Sequence, residues 1–163
     1  MSFDASILSD GFLDMQSSPP ADEDAAIDKM ADTLVAYFKT AAADGTIDIV
    51  PAAVDAQLTT IKGNLAGMKT TGPTAIQLAC VQFWTGVIAS PSTFFVGCAP
   101  PAVLSTSLST IAALMLSEAA TSIADELVPE DACQALADAI ESGHISVPST
   151  VTLTAGPTVV TIE

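Results

Sequence analysis

The side chains in this sequence most suited to chemistry at neutral pH are one histidine, His144, and three cysteines, Cys80, Cys98 and Cys133. A general base is usually His, Glu or Asp held against a nucleophile. His144 instead follows Gly143 at the end of a predicted helix, beside the β-prone run "ISVPSTVTL", and reads as a surface or capping histidine. The cysteines lie 18 and 35 residues apart with no C-x-x-C pair, which does not make a zinc site. An odd number of cysteines in apolar or amphipathic settings does not make a disulfide framework either. They read as buried free thiols of a protein folded in the cytoplasm, with a Cys80–Cys98 bridge left open. The acids of "DEDAAID" fit a helix N-terminus, and "AAADGTIDIVPA" lacks the ligand spacing of a calcium loop. There is no G-x-S-x-G motif, phosphate loop or dinucleotide fingerprint. The absence of arginine removes the usual clamp for phosphates and carboxylates. The expectation is a non-enzymatic chain with no catalytic, cofactor-binding or metal-binding residues.

Charge narrows the partners. Nineteen acids stand against four bases, for a net charge of −15, and the bases Lys29, Lys39, Lys62 and Lys69 all lie in the first half. Nucleic-acid binding needs several cations on phosphates, and an anionic bilayer surface repels such a chain. The opening "MSFDASILSDGFLDMQSS" carries acids where a secretory signal needs a basic region, so no signal is expected there. At 163 residues the chain fits one domain, and a chain of this size buries roughly 70% of its unfolded surface. Half the residues are hydrophobic but only 5% are aromatic, which favours close packing of small side chains over an aromatic ligand cage.

The elements that must position these residues are mostly helices. Residues 1–21 read as an extended arm, with Phe3, Ile7, Leu8, Phe12, Leu13 and Met15 among Ser, Asp and Gly before "SSPP". A first helix begins at the acids Asp22–Asp24, carries the stripe Ile27, Met30, Leu34, Phe38 and Ala41, and is capped by Gly45. A short strand follows at 46–50. A second helix starts at Pro51, with Val54, Leu58, Ile61, Leu65 and Met68 at helical spacing. A third, at 74–89, is apolar around nearly its whole circumference and is predicted to be buried. After the loop "SPSTFFVGCAPP", a fourth helix starts near 101–102 and runs through Leu104, Leu108, Ile111, Met115 and Ile123. A fifth covers "PEDACQALADAIESG", with Gly143 as its cap. Two strands, 150–154 and 158–162, are split by Gly156-Pro157. The predicted fold is a bundle of about five helices with a small β element near the C-terminus. Its divisions are an arm at 1–21, a helical domain at 22–147 and a β-prone tail at 148–163.

From Thr71 to Ser117 no residue is charged. Membrane spans need about 20 predominantly apolar residues, and both helices of this stretch are short or broken by Ser, Thr and Gln. A buried hairpin fits better than a membrane hairpin at 74–117, which is the alternative reading. The apolar "FFV" of the loop is a candidate contact patch. The expected interface residues are Phe3, Phe12 and Leu13 in the arm, Phe94, Phe95 and Val96 in the loop, and Val151, Leu153, Val159 and Ile162 in the tail. Deleting both ends is then expected to leave a folded helical core.

The segments "LADAIESGHISVPSTVTLTAGPTVV" and "QFWTGVIASPSTFFVGCAPP" resemble small structural proteins of tailed bacteriophage virions. That resemblance, over residues 74–163, implies a neck, tail, baseplate or capsid-associated component. Such a chain is folded in the host cytoplasm and joined in an oligomeric assembly to copies of itself or to other virion proteins.

Overall fold

The segment read as an arm is a helix. In the computed structural model, which describes residues 3–43, 45–99, 110–145, 150–153 and 159–162, α1 (Ala5–Ser17) is closed at both ends by its own polar residues. Asp4 Oδ1 accepts from the Ser6 N–H at 3.0 Å and from Ser6 Oγ at 2.6 Å, and the Ser18 N–H donates to the Asp14 carbonyl at 2.9 Å. Ala5, Leu8, Ser9 and Phe12 fall on one buried line at spacings of three, one and three. The Ser, Asp and Gly between them dilute the apolar pattern without breaking it. α1 lays this line on α2 (Glu23–Phe38) and α9 (Pro129–Ile145).

α2 begins as expected. Asp22 caps it by accepting from the Ala25 N–H at 2.8 Å, and Glu23 and Asp24 occupy the first turn. Its stripe Ile27, Met30, Leu34 and Phe38 is buried. Gly45 does not cap this helix. It takes φ +61° in the turn between β1 (Ala42–Ala43) and β2 (Ile47–Asp48), an antiparallel pair.

The single helix expected from Pro51 is three short ones, α3 (Pro51–Asp55), α4 (Leu58–Leu65) and α5 (Met68–Thr71). At Gly67 the backbone leaves the helical region, and the Thr70 and Thr71 hydroxyls both donate to its carbonyl, at 3.0 and 2.9 Å, competing with the helix ladder. The apolar positions keep their function despite the breaks: Val54, Ile61 and Leu65 are fully buried. Gly72, at φ +53°, then turns the chain into Pro73, the first residue of α6 (Pro73–Ala89).

α6 runs through the middle of the core. Ala75, Ile76, Ala79, Cys80, Phe83, Trp84, Val87 and Ile88 are buried against neighbours that include α4 and α8 (Ile111–Ala124). It is not covered all round: Thr74, Leu78, Gln82, Thr85 and Ala89 form an exposed stripe. No helix among the described residues is long and apolar enough to cross a membrane.

The "FFV" loop folds inward. α7 (Pro91–Phe94) leads to Phe95, which bridges to Ile49, and the Val50 N–H donates to the Phe94 carbonyl at 2.7 Å. Gly97, at φ +86°, turns the chain into β3 (Cys98–Ala99). The start of the fourth helix expected near 101–102 lies outside the described residues, and α8 is described from Ile111. At its end Glu126 takes φ +51°, and the Leu127 N–H reaches back to the Ser122 carbonyl at 3.0 Å, closing the helix before α9.

The tail also belongs to this chain. β4 (Thr150–Leu153) pairs antiparallel with β3, Cys98 opposite Leu153, and with β5 (Val159–Thr161), Val151 opposite Val160. Ile162 bridges to Ala43 of the first hairpin. The Gly156-Pro157 break lies outside the described residues. One hydrophobic cluster gathers side chains from Phe3 to Ile162, so arm, helical region and tail share a core.

Gly143, expected as a cap, is inside α9, where a Cβ would collide with Ile111 Cγ1 of α8. Gly63 in α4 faces open space. The same substitution should therefore have opposite signs. Gly63→Ala raises stability by about 0.5–1 kcal/mol through helix propensity, whereas Gly143→Ala lowers it by about 1–3 kcal/mol through overpacking. Urea melts of the two variants check this, and equal shifts would contradict the close α8–α9 approach.

Candidate functional site

His144 is not at the surface. It occupies the last turn of α9 and is 5% exposed. Its Nδ1 lies 2.8 Å from the Ile140 carbonyl, an acceptor, so Nδ1 carries the proton and donates. Four rings surround the imidazole: Phe3 at 5.1 Å, Tyr37 at 5.5 Å, Phe38 at 6.0 Å and Trp84 at 6.1 Å between centroids. Phe3 also stacks on Tyr37 at 5.0 Å and meets Trp84 edge-on at 5.8 Å. Among the described residues, His144 Nε2, Tyr37 Oη and Trp84 Nε1 are buried without a hydrogen-bond partner. The small aromatic content is thus concentrated at one place, where α2, α6, α9 and the chain just before α1 meet.

The electrostatics of this cluster keep every group neutral. Burial lowers the His144 pKa to about 4, against a small opposing effect of its bond to Ile140. Burial also raises Tyr37, with smaller contributions from Cys80 and Glu141, and pushes the Cys80 thiol up to about 12. An activated nucleophile needs a lowered pKa or a general base within hydrogen-bond reach, and Tyr37 and Cys80 are both shifted upward instead. Cys80 and Cys133 are free thiols, and the Cys98 side chain lies outside the described set. Cys133 donates to Gln16 Oε1 at 3.5 Å, joining α9 to α1.

The ionic groups stitch helices together. Lys29 pairs with Asp14 at 2.7 Å, Lys39 with Asp55 at 2.5 Å, Lys62 with Asp28 at 2.8 Å and Lys69 with Glu23 at 3.8 Å. Each lysine is therefore engaged within the chain, and the remaining acids dominate its surface charge. No group of three or more His, Cys, Asp or Glu among the described residues could hold a metal ion. Two shallow grooves are described. One, of about 340 Å³, is lined by Glu23, Ala26, Ile27, Met68 and Lys69. The other, of about 240 Å³, lies between α8 and α9 and includes Glu118 and Asp138. The second groove also includes Ser142.

The expected interface residues divide. Phe3, Phe12, Phe94, Phe95 and Ile162 are between 0 and 8% exposed; they pack in this chain's own core, which corrects their reading as contacts for a partner. Leu13 is partly buried against the same core. Of Phe94, Phe95 and Val96, only Val96 projects, at 72% exposure. The strands carrying Val151, Leu153 and Val159 are described, but their side chains are outside the described set.

A different apolar surface stands out. Leu116, Ile123, Leu127 and Val128 are 58, 79, 39 and 55% exposed. On the same outer face of α8 lie Ala113, Ser117, Ala120, Thr121 and Ala124, also exposed, and the face carries no charge. The apolar spacing predicts that Ile123 continues the inward line of Ile111 and Met115. The inward line instead ends on Ser122, which is buried, and this leaves Ile123 pointing out. A signal for the outer face is present in the sequence as apolar residues at 113, 116, 120 and 123, a spacing of three and four.

Comparison of the chain with protein-family models, with curated proteins and with solved structures finds no match.

Proposed function

We propose that this chain is a non-enzymatic assembly protein, a structural component of a tailed-phage virion that works by packing on neighbouring subunits. The observation that carries the reading is the uncharged outer face of α8, with Leu127 and Val128 exposed just beyond Asp125 and Glu126, on a chain whose net charge is −15. Exposed apolar surface of this kind marks contact sites. The neutral, buried state of His144, Tyr37 and Cys80 supports a packing role for them over a catalytic one. The virion assignment itself rests on the sequence resemblance over residues 74–163. In this reading the chain needs no cofactor, binds no nucleic acid, and reaches its location by assembly after folding in the host cytoplasm.

The test is mass spectrometry of particles sedimented from cells that produce the chain with its genetic neighbours. Recovery in the particle fraction at a fixed stoichiometry is expected. Recovery only in the free soluble or membrane fraction would overturn the virion reading.

A further inference from the structure

We propose that Phe3 is a proton-gated shutter over His144, which acid opens by turning the Phe3 ring out of the aromatic cluster while α1 stays in place. This goes beyond the assembly reading and does not depend on it. His144 Nδ1 already donates to the Ile140 carbonyl, so an added proton must go to Nε2. In the closed chain that atom has no acceptor among the described residues, and Tyr37 Oη does not reach it, since both are unpartnered. The faces of the surrounding rings attract a cation, but they give its N–H nothing to bond. Burial wins over that attraction, which is why the closed site resists the proton down to about pH 4. Water at Nε2 removes the conflict, and one of the four rings must move to admit it.

Phe3 is the ring that can leave at least cost. Tyr37 and Phe38 are the last two residues of α2, and Trp84 lies inside α6, so displacing them disturbs helices that carry the core. Phe3 precedes Asp4, the cap of α1, and belongs to no helix. Asp4 can keep its bonds to the Ser6 N–H and hydroxyl while the chain before it turns. The link that resists is the Asp4 N–H donating to Thr40 Oγ1 at 3.2 Å, just past α2. Phe3 also covers the rings of Tyr37 and Trp84, which carry the other two unpartnered polar atoms.

The other titratable groups around the imidazole do not drive the opening. Tyr37 of α2 and Cys80 of α6 are shifted upward and stay neutral below pH 7. Glu141 of α9 and Asp4 ahead of α1 repel each other when both are charged, and burial, Asp138 and Asp4 all raise the Glu141 pKa. Protonating Glu141 therefore relaxes a push on the Phe3 segment and favours the closed form. α8 meets α9 here through Ile111, and its one acid, Glu118, faces Asp138 across the groove. His144 is thus the group whose titration opens the shutter.

The sign and size follow from linkage. The open form takes up its proton near the ordinary histidine value of 6.5, and the closed form near 4. Opening is therefore favoured about tenfold for each pH unit below 6.5, until pH 4. Between pH 7 and pH 5 the open population rises at most about twentyfold. Uncovering the ring and parting its stack on Tyr37 costs at least as much as the proton returns over that interval, so the closed form persists as the resting state.

The experiment is hydrogen exchange of the Trp84 indole N–H in the full chain, read by NMR at pH 7 and pH 5 alongside the main-chain amides. The chain has one tryptophan, so the probe is a single signal. Protection is taken relative to free tryptophan at each pH, which cancels the intrinsic rate. A fall of roughly tenfold to twentyfold is expected in the parent and less than twofold in His144→Phe, which cannot take the proton. The α1 amides of Ser9 and Phe12 should keep their protection, and Glu141→Gln should still show the fall. Phe3→Ala should leave the indole poorly protected at both pH values, and a thermal melt checks that it is folded. If it is not, the parent and His144→Phe decide between them. Unchanged indole protection in the parent, or an equal fall in His144→Phe, would overturn the shutter. So would loss of the α1 amides in step with the indole, because the whole helix would then be leaving.

Discussion

Removing residues 1–17 abolishes the cooperative thermal melt of this protein. α1 has no counterpart that could fill its place: Leu8 is fully buried, Ala5 and Phe12 are nearly so, and the helix is held between α2 and α9. Phe3 closes the aromatic cluster by stacking on Tyr37 and contacting Trp84 and His144. Burial of Phe3, Leu8 and Phe12 stabilises the fold by about 1.5–3 kcal/mol each, against a net stability of roughly 5–15 kcal/mol for a domain. The truncation also exposes the faces of α2 and α9 that α1 covers, and it breaks the Lys29–Asp14 pair and the Cys133–Gln16 contact. A milder change tests the same claim. Leu8→Ala should lower stability by about 2–5 kcal/mol, as expected where a fully buried leucine leaves a cavity. Calorimetry of both variants checks this. A truncated chain that melts cooperatively near the parent temperature would restore the detachable arm.

Lowering the pH from 7 to 4 should remove roughly 3 kcal/mol of stability through His144 alone. The folded state holds the imidazole neutral down to a pKa of about 4, whereas the unfolded chain protonates it near 6.5. Between those values the unfolded state binds the extra proton. This contribution is therefore fully present above about pH 6.5 and is lost as pH falls toward 4, at about 1.36 kcal/mol for each pH unit crossed. Tyr37, which faces His144, does not compensate: it and the buried Cys80 thiol are shifted upward and stay neutral throughout. Glu141, on α9 itself, acts in the opposite sense. Burial raises its pKa first, with smaller contributions from Asp138 and from Asp4 beside α1, so protonating it relieves a cost. Protonation of other carboxylates also relaxes the repulsion of a net −15 chain. The His144 contribution is therefore read as a difference: His144→Phe keeps an aromatic ring in the cluster and should gain stability relative to the parent as pH falls from 7 to 4. Parallel stability curves for the two proteins would show that His144 titrates as an exposed histidine does.

Local sequence suffices for the helices whose boundaries are chemically marked. Asp22 with its following acids starts α2, Pro73 starts α6 and Pro129 starts α9. The apolar stripe of α2, the β-prone runs that became β2, β4 and β5, and the burial of most of α6 are legible in the same way. A cap or a periodic stripe acts within a few residues, so no distant partner is needed to read it. What covers each stripe is set by long-range packing. The apolar groups of residues 3–15 look unpartnered in the sequence because α9, which receives them, lies more than a hundred positions away. The tail looks like a strand in need of a neighbour because its partner β3, pairing Cys98 with Leu153, is only two residues long. His144 looks like a cap because only the meeting of Phe3, Tyr37, Phe38 and Trp84, drawn from three distant segments, dehydrates it. The outward face of α8 is written in the spacing of Ala113, Leu116, Ala120 and Ile123. Which of that helix's two apolar lines faces the core is fixed by the close approach of Ile111 to Gly143, a contact between side chain and backbone that local periodicity does not encode.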